Sequence, residues 1–180
     1  MDGWHLRHPL EPGIPLAAVR GMVPGSAAVI DWVLAGLETG GVIEVDGALA
    51  RRRGWAPRLA GEHARVAAEV LSTLRDSGAE PPSVSELEIR LGPVVEPVLR
   101  FLERGGDIVA VSEDRFYARG AVERLTNVLR RNMVPGRAYT PAELRDLLGF
   151  SRKYLIPFLE YCDRLGVTLR KDSGRVRAGT

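Results

Sequence analysis

Apolar residues recur at helical spacing near the C-terminus of the chain. After Ser151, the residues Leu155, Phe158, Leu159, Cys162 and Leu165 fall three and four positions apart, which predicts a helix from Arg152 with one inward face. Ser151 suits the N-cap, because its hydroxyl can accept from the free N–H groups of the first turn. Pro157 lacks an N–H and predicts a bend just after Arg152 and Lys153. Gly166 ends the helix. Residues 167–170 and 175–177 then read as short strands around the turn Lys171-Asp172-Ser173-Gly174. Upstream, Thr140 and Glu143 form a capping box for a shorter helix. Helix, turn, helix and hairpin together make a winged helix.

The same pattern occurs three times. LETGGVIEVDGALARR (37–52) and LERGGDIVAVSEDRFYAR (102–119) align with their glycine pairs 65 positions apart, and DRLGVTLRKDSGRVR (163–177) follows with its glycine 60 positions later. Each is a helix end, a glycine stop and two strands around a polar turn. PLAAVRGMV, SVSELEIRLG and TPAELRDLLG precede them in the same order. The fold class predicted is mainly α with small β-hairpins (α+β), a tandem array of three winged-helix domains at 1–58, 59–120 and 121–180. Only residues 1–8 stand where the first copy needs an opening helix, so the chain is expected to begin inside a domain of a longer protein. Val29, Ile30, Val33, Leu34 and Leu37 are expected to be buried in the first copy, with Asp46-Gly47 as its hairpin turn. The second copy has the stripe Val66, Val70, Leu71 and Leu74, then Val95, Val98, Leu99 and Leu102. The third opens on Val122, Leu125, Val128 and Leu129. Its start runs directly on from the second hairpin, which predicts a rigid junction there and a hinge at 55–61.

Composition narrows the function. A chain of 180 residues with 45% hydrophobic content can bury a real core, and its single cysteine excludes a disulfide framework. No apolar run reaches membrane-span length and no leader opens the sequence, so a cytoplasmic protein without a membrane partner is expected. Residues 121–180 hold 12 Lys and Arg against 6 Asp and Glu, whereas the first 120 hold 13 against 17. A basic C-terminal third attached to an acidic body points to a polyanionic partner for that third.

No catalytic constellation is present: there is no phosphate-binding G-x-x-x-x-G-K-[ST] loop and no hydrolase-like order of serine, histidine and acid. No cofactor is expected. What remains is a recognition surface. A helix N-terminus offers N–H groups and partial positive charge to phosphate, and Ser151, Arg152 and Lys153 add side-chain donors there. Arg170, Lys171, Arg175 and Arg177 on the wing can reach a second stretch of backbone, and Arg137 and Arg145 extend the patch. Tyr154 either stacks on a base or packs against the first helix of its domain. Beyond Lys153 the exposed face carries Ile156, Glu160 and Asp163, which suit a phosphate groove badly. Charge gathered at the tip and wing favours a compact RNA hairpin with splayed bases. A DNA-binding regulator and a winged-helix protein-interaction scaffold stay open as alternatives.

The words DLLGFSRKYLIPFLEYCDRLGVTLR also carry a family likeness. They resemble the last winged helix of the bacterial selenocysteine-specific translation elongation factors, the SelB family, through Ser151-Arg152-Lys153-Tyr154, Leu159-Glu160-Tyr161, Asp163, Gly166, Thr168 and Arg170. HPLEPGIP (8–15) and the segments after it look like an earlier winged helix of the same region. The resemblance implies binding of the selenocysteine insertion hairpin in mRNA, with Ser151 to Tyr154 at the contact. It also implies a monomer that, in the full-length protein, acts with the ribosome and carries a GTPase that this chain lacks.

Overall fold

The computed structural model describes residues 1–172 and 174–179. The chain divides into two compact units, Met1–Gly61 and the remainder from Glu62. It is a mixture of helices and small antiparallel sheets, consistent with winged-helix architecture.

The first unit runs α1 (Asp2–Arg7), β1 (Ile14–Pro15), α2 (Leu16–Met22), α3 (Ala27–Thr39), β2 (Ile43–Asp46) and β3 (Leu49–Arg52). Its sheet has the order β1-β3-β2. The core is small: Ile30, Leu34 and Ile43 pack with half-buried Met1, Leu16, Val19 and Val45. This corrects the broad apolar stripe expected on α3. Val29, Val33 and Leu37 stay 55%, 41% and 37% exposed, because the seven-residue α2 and a three-stranded sheet cover only a narrow face. The hairpin turn also sits one residue later than expected. Asp46 pairs with Leu49, so Gly47 and Ala48 form the loop, with Gly47 at φ 58°. His5, on α1, is buried between neighbours: its ring stacks on Trp55 at 4.1 Å, and its Nε2 accepts the Arg52 N–H at 3.3 Å.

The second unit runs α4 (Gly61–Asp76), α5 (Val84–Leu91), α6 (Val95–Gly105), β4 (Ile108–Ser112), β5 (Arg115–Ala118), α7 (Arg119–Asn132), β6 (Ala138–Tyr139), α8 (Pro141–Leu148), α9 (Arg152–Arg164), β7 (Thr168–Lys171) and β8 (Gly174–Arg177). The predicted stripes face inward: Val66, Val70 and Leu74 on α4 are buried, as are all four positions of α6 and Leu155, Phe158, Leu159 and Cys162 on α9. Leu165 caps α9 and is 52% exposed instead. Pro157 lies inside α9, which continues unbroken from Arg152 to Arg164. Strand β5 passes into α7 without an intervening residue. One hydrophobic cluster joins Val111 and Tyr117 of the β4–β5 hairpin to Val122, Leu129, Leu144 and the α9 stripe. Phe158 is its centre, with ring centroids 5.9 Å from Tyr117, 5.2 Å from Phe150 and 6.3 Å from Tyr161. Burial pushes the Cys162 thiol up to about 12, as expected of a core cysteine.

The two-residue strand β6 was not foreseen. It adds to the last hairpin in the order β6-β8-β7, pairing Ala138 with Val176 and Tyr139 with Arg175. Gly174 makes this possible, because a Cβ there would lie 2.6 Å from the Tyr139 carbonyl oxygen. Of the predicted turn, Ser173 lies outside the described residues.

Candidate nucleic-acid interface

Three elements build the surface at the start of α9. Helix α8 opens with Thr140, whose hydroxyl accepts the Glu143 N–H while Glu143 returns to the Thr140 N–H, the predicted box. Gly149 closes α8 in the left-handed region at φ 68°, turning the chain sharply into Ser151. Helix α9 then begins, and Ser151, Arg152 and Lys153 are all exposed.

The cap of α9 differs from the expectation. Ser151 has N-cap geometry, but its side chain makes no capping hydrogen bond. Its backbone N–H donates instead to Glu80 Oε1 at 2.7 Å, from the loop between α4 and α5. Among the described residues, Arg152 has no ion-pair partner. It lines a pocket of about 310 Å³ with Pro141, Ala142, Arg145, Leu155 and Ile156. Arg145 is drawn aside by Asp146, at 2.8 Å. Lys153 Nζ lies 5.6 Å from the Tyr154 ring centroid. The Glu86 carboxyl sits below its ordinary range through hydrogen bonds at Ser83, with the positive charges of Lys153 and Arg115 adding to the effect. Tyr154 is half-buried, and the Arg115 guanidinium stands over its ring at 4.8 Å. The ring is covered by Arg115 of β5 and packs, partly buried, against the cluster centred on Phe158.

The wing separates its cations. Arg170 and Lys171 are exposed on the edge strand β7 and have no ion-pair partner among the described residues. Arg175 corrects the sequence reading. It lies on the central strand β8, its side chain 6% exposed, and donates from Nε to Asp163 Oδ2 at 2.9 Å. Asp163 is held in turn by the Thr168 hydroxyl at 2.5 Å, so this carboxylate also leaves the exposed face of α9. Arg177 is half-buried and donates to the Arg130 carbonyl at 3.0 Å. Arg137 is exposed, paired with Glu143 at 2.6 Å and stacked over Tyr139 at 4.5 Å. Of the predicted contact cations, Arg152 at the tip and Arg170 with Lys171 on the wing thus have neither an ion pair nor a ring contact among the described residues. Beyond the tip, exposed Ile156 and Glu160 continue the α9 surface.

Sequence reasoning missed Glu80 and Arg115. The one local hint was Tyr154, which stands where α5 and α8 carry the glutamate of a capping box.

Comparisons with known proteins cover this segment and most of the rest of the chain. Residues 137–177 match the profile of the family described as elongation factor SelB, winged helix. The chain is 26% identical over 175 residues to the selenocysteine-specific elongation factor of Desulfomicrobium baculatum, covering 93% of the chain and 27% of that protein. It is 33% identical over 97 residues to the Escherichia coli factor, 52% of the chain and 16% of that protein. It thus spans about a quarter of the first relative and less of the second. A solved structure of the mRNA-binding domain of E. coli SelB, in complex with SECIS RNA, covers 67% of this chain and 99% of its own length, with TM-score 0.57 and 27% identity. A bacterial selenocysteine-specific elongation factor shares the fold over 93% of the chain, with TM-score 0.59 and 20% identity. Together these matches support a C-terminal SelB winged-helix region.

Proposed function

We propose that this chain binds an mRNA stem-loop, the selenocysteine insertion element, as the C-terminal region of a selenocysteine-specific elongation factor. It is organised as three winged helices, at about 1–58, 59–120 and 121–180, of which the last contacts RNA. In the whole protein it tethers a GTPase and selenocysteyl-tRNA to the ribosome at UGA codons. It works as a cytoplasmic monomer, and its own role is recognition rather than catalysis.

The observation that carries this reading is the placement of unengaged cations. Arg152 stands at an exposed helix N-terminus, and Arg170 and Lys171 stand on the wing, while Ile156 and Glu160 occupy the face that duplex DNA would meet. A tip and a wing grip a sharply turned backbone better than a straight groove, and Arg152 can fork onto a phosphate or stack on an unpaired base. The matched E. coli domain was solved with SECIS RNA, which agrees with this. Arg152, Lys153, Arg170 and Lys171 are the principal contacts, with Ser151 and Arg137 adjoining. Tyr154, Arg175 and Arg177 support them from beneath.

The direct test is fluorescence anisotropy with a labelled insertion-element hairpin and a duplex DNA of similar length. Hairpin binding tighter by at least tenfold is expected. Equal or tighter duplex binding would favour a DNA-binding regulator, and no binding of either would favour a protein partner.

A further inference from the structure

The start of α9 is capped from outside. In α5, Ser83 and Glu86 satisfy each other's backbone N–H groups, and in α8 Thr140 and Glu143 do the same. In both helices the third helical position supplies the carboxylate that holds the N-cap N–H. In α9 that position is Tyr154, and the Ser151 N–H is held by Glu80, 71 residues earlier in the chain. The box is completed in trans, by the segment that precedes the last winged helix.

Glu80 is firmly presented. Its own N–H donates to the Ser77 carbonyl at 3.0 Å, and Pro81 and Pro82 follow it. The carbonyls on either side are both pinned by the β4–β5 hairpin: Tyr117 donates to Ala79 O at 3.2 Å, and buried Arg115 donates from Nη1 to Pro81 O at 2.8 Å. Arg115 also covers the Tyr154 ring. One arginine therefore fixes both the loop that carries Glu80 and the third residue of α9.

The division of labour has a chemical consequence. A cap made by Ser151 Oγ would consume an N–H of the first turn, and here it does not form. Among the described residues, the Arg152 and Lys153 N–H groups have no acceptor, and the Ser151 hydroxyl makes no capping bond. The turn is anchored through the one N–H that faces Glu80, while the outward N–H groups stay available to an anion.

We infer that Glu80 is a positioning residue for RNA recognition, holding the first turn of α9 through the Ser151 N–H so that Arg152 and Lys153 meet phosphate preorganised. The inference rests on the hairpin-binding reading above, and it gives the segment 62–120 the task of setting the tip.

The test compares Glu80→Ala and Glu80→Gln with wild type in two measurements. In hairpin binding, the Ala variant loses about tenfold, the worth of a helix cap, whereas the Gln variant keeps the acceptor oxygen and binds within about twofold of wild type. A surface carboxylate that merely repelled RNA would give the opposite sign, both variants binding tighter. In amide hydrogen exchange by NMR on the free protein, the hydrogen-bonded N–H groups of Ser151, Tyr154 and Leu155 in the Ala variant exchange about tenfold faster while 158–162 do not change. The Gln variant exchanges like wild type. Unchanged first-turn exchange in the Ala variant, undiminished hairpin affinity there, or a Gln variant that behaves like Ala overturns the inference. If wild type binds no hairpin, the hairpin reading falls, and exchange alone decides whether Glu80 positions the turn.

Discussion

Arg170 and Arg175 are direct cross-strand partners on the wing and share one face of the sheet, yet only Arg175 reaches a carboxylate. Asp163 takes Arg175 at 2.9 Å from the central strand, and Arg170, on the edge strand, is left to solvent. Two arginines five positions apart are thereby given different tasks. Arg175→Ala leaves the partly buried Asp163 carboxylate with the Thr168 hydroxyl alone and is expected to cost about 1.5 to 3 kcal/mol of stability, the worth of a hydrogen bond to a charged group. Arg170→Ala is expected to change stability by no more than about 0.5 kcal/mol, the usual range for a surface site, and to weaken hairpin binding. Urea midpoints of the two variants separate these roles, and a large stability loss in Arg170→Ala would contradict the assignment.

The first unit should weaken in mild acid. His5 is 2% exposed, and burial holds its imidazole below the ordinary 6.5. The unfolded chain therefore takes up this proton first as pH falls. Stability from neutral His5 is complete above about pH 6.5 and is lost progressively as pH falls toward the lowered folded value. All three tryptophans, Trp4, Trp32 and Trp55, lie in this unit, so their fluorescence reports its unfolding alone. The tryptophan-detected urea midpoint is expected to fall between pH 7 and 5, and the fall should flatten in His5→Gln. A midpoint independent of pH in wild type would refute this.

Phe158 tests the joint within the second unit. Fully buried, it touches Tyr117 from the β4–β5 hairpin, Phe150 from the turn between α8 and α9, and Tyr161 from α9 itself. Phe158→Ala is expected to cost about 3 to 5 kcal/mol and to loosen the contact that carries Glu80 to α9. Hairpin affinity should then fall even where the protein remains folded. Retained affinity in the folded variant would show that the tip does not depend on this packing.

Much of this was legible in the residues. The α9 stripe from Leu155 to Cys162 and all four inward positions of α6 follow the helical period, because both helices bury a full face. The same rule overreached on α3, where Val29 and Val33 keep the spacing but find too little structure to cover them. In the candidate site, the exposure of Arg152, Lys153, Arg170 and Lys171 followed from a polar turn and a helix start. The burial of Arg175 did not, because it depends on the strand register that brings β8 over Asp163. Glu80 and Arg115 were out of reach for the same reason. Each acts on a residue tens of positions away, and no local pattern announces a contact that only tertiary packing creates.

The measurement that bears most directly on the central claim is hairpin affinity at 50 mM and 200 mM salt, an illustrative pair at about the range where counterion release is plain, for wild type and Arg152→Ala. Wild-type binding should fall steeply between the two, and the variant should lose about 1 to 3 kcal/mol with an unchanged urea midpoint. Hairpin binding that is insensitive to salt, or equal in the two proteins, would contradict the account.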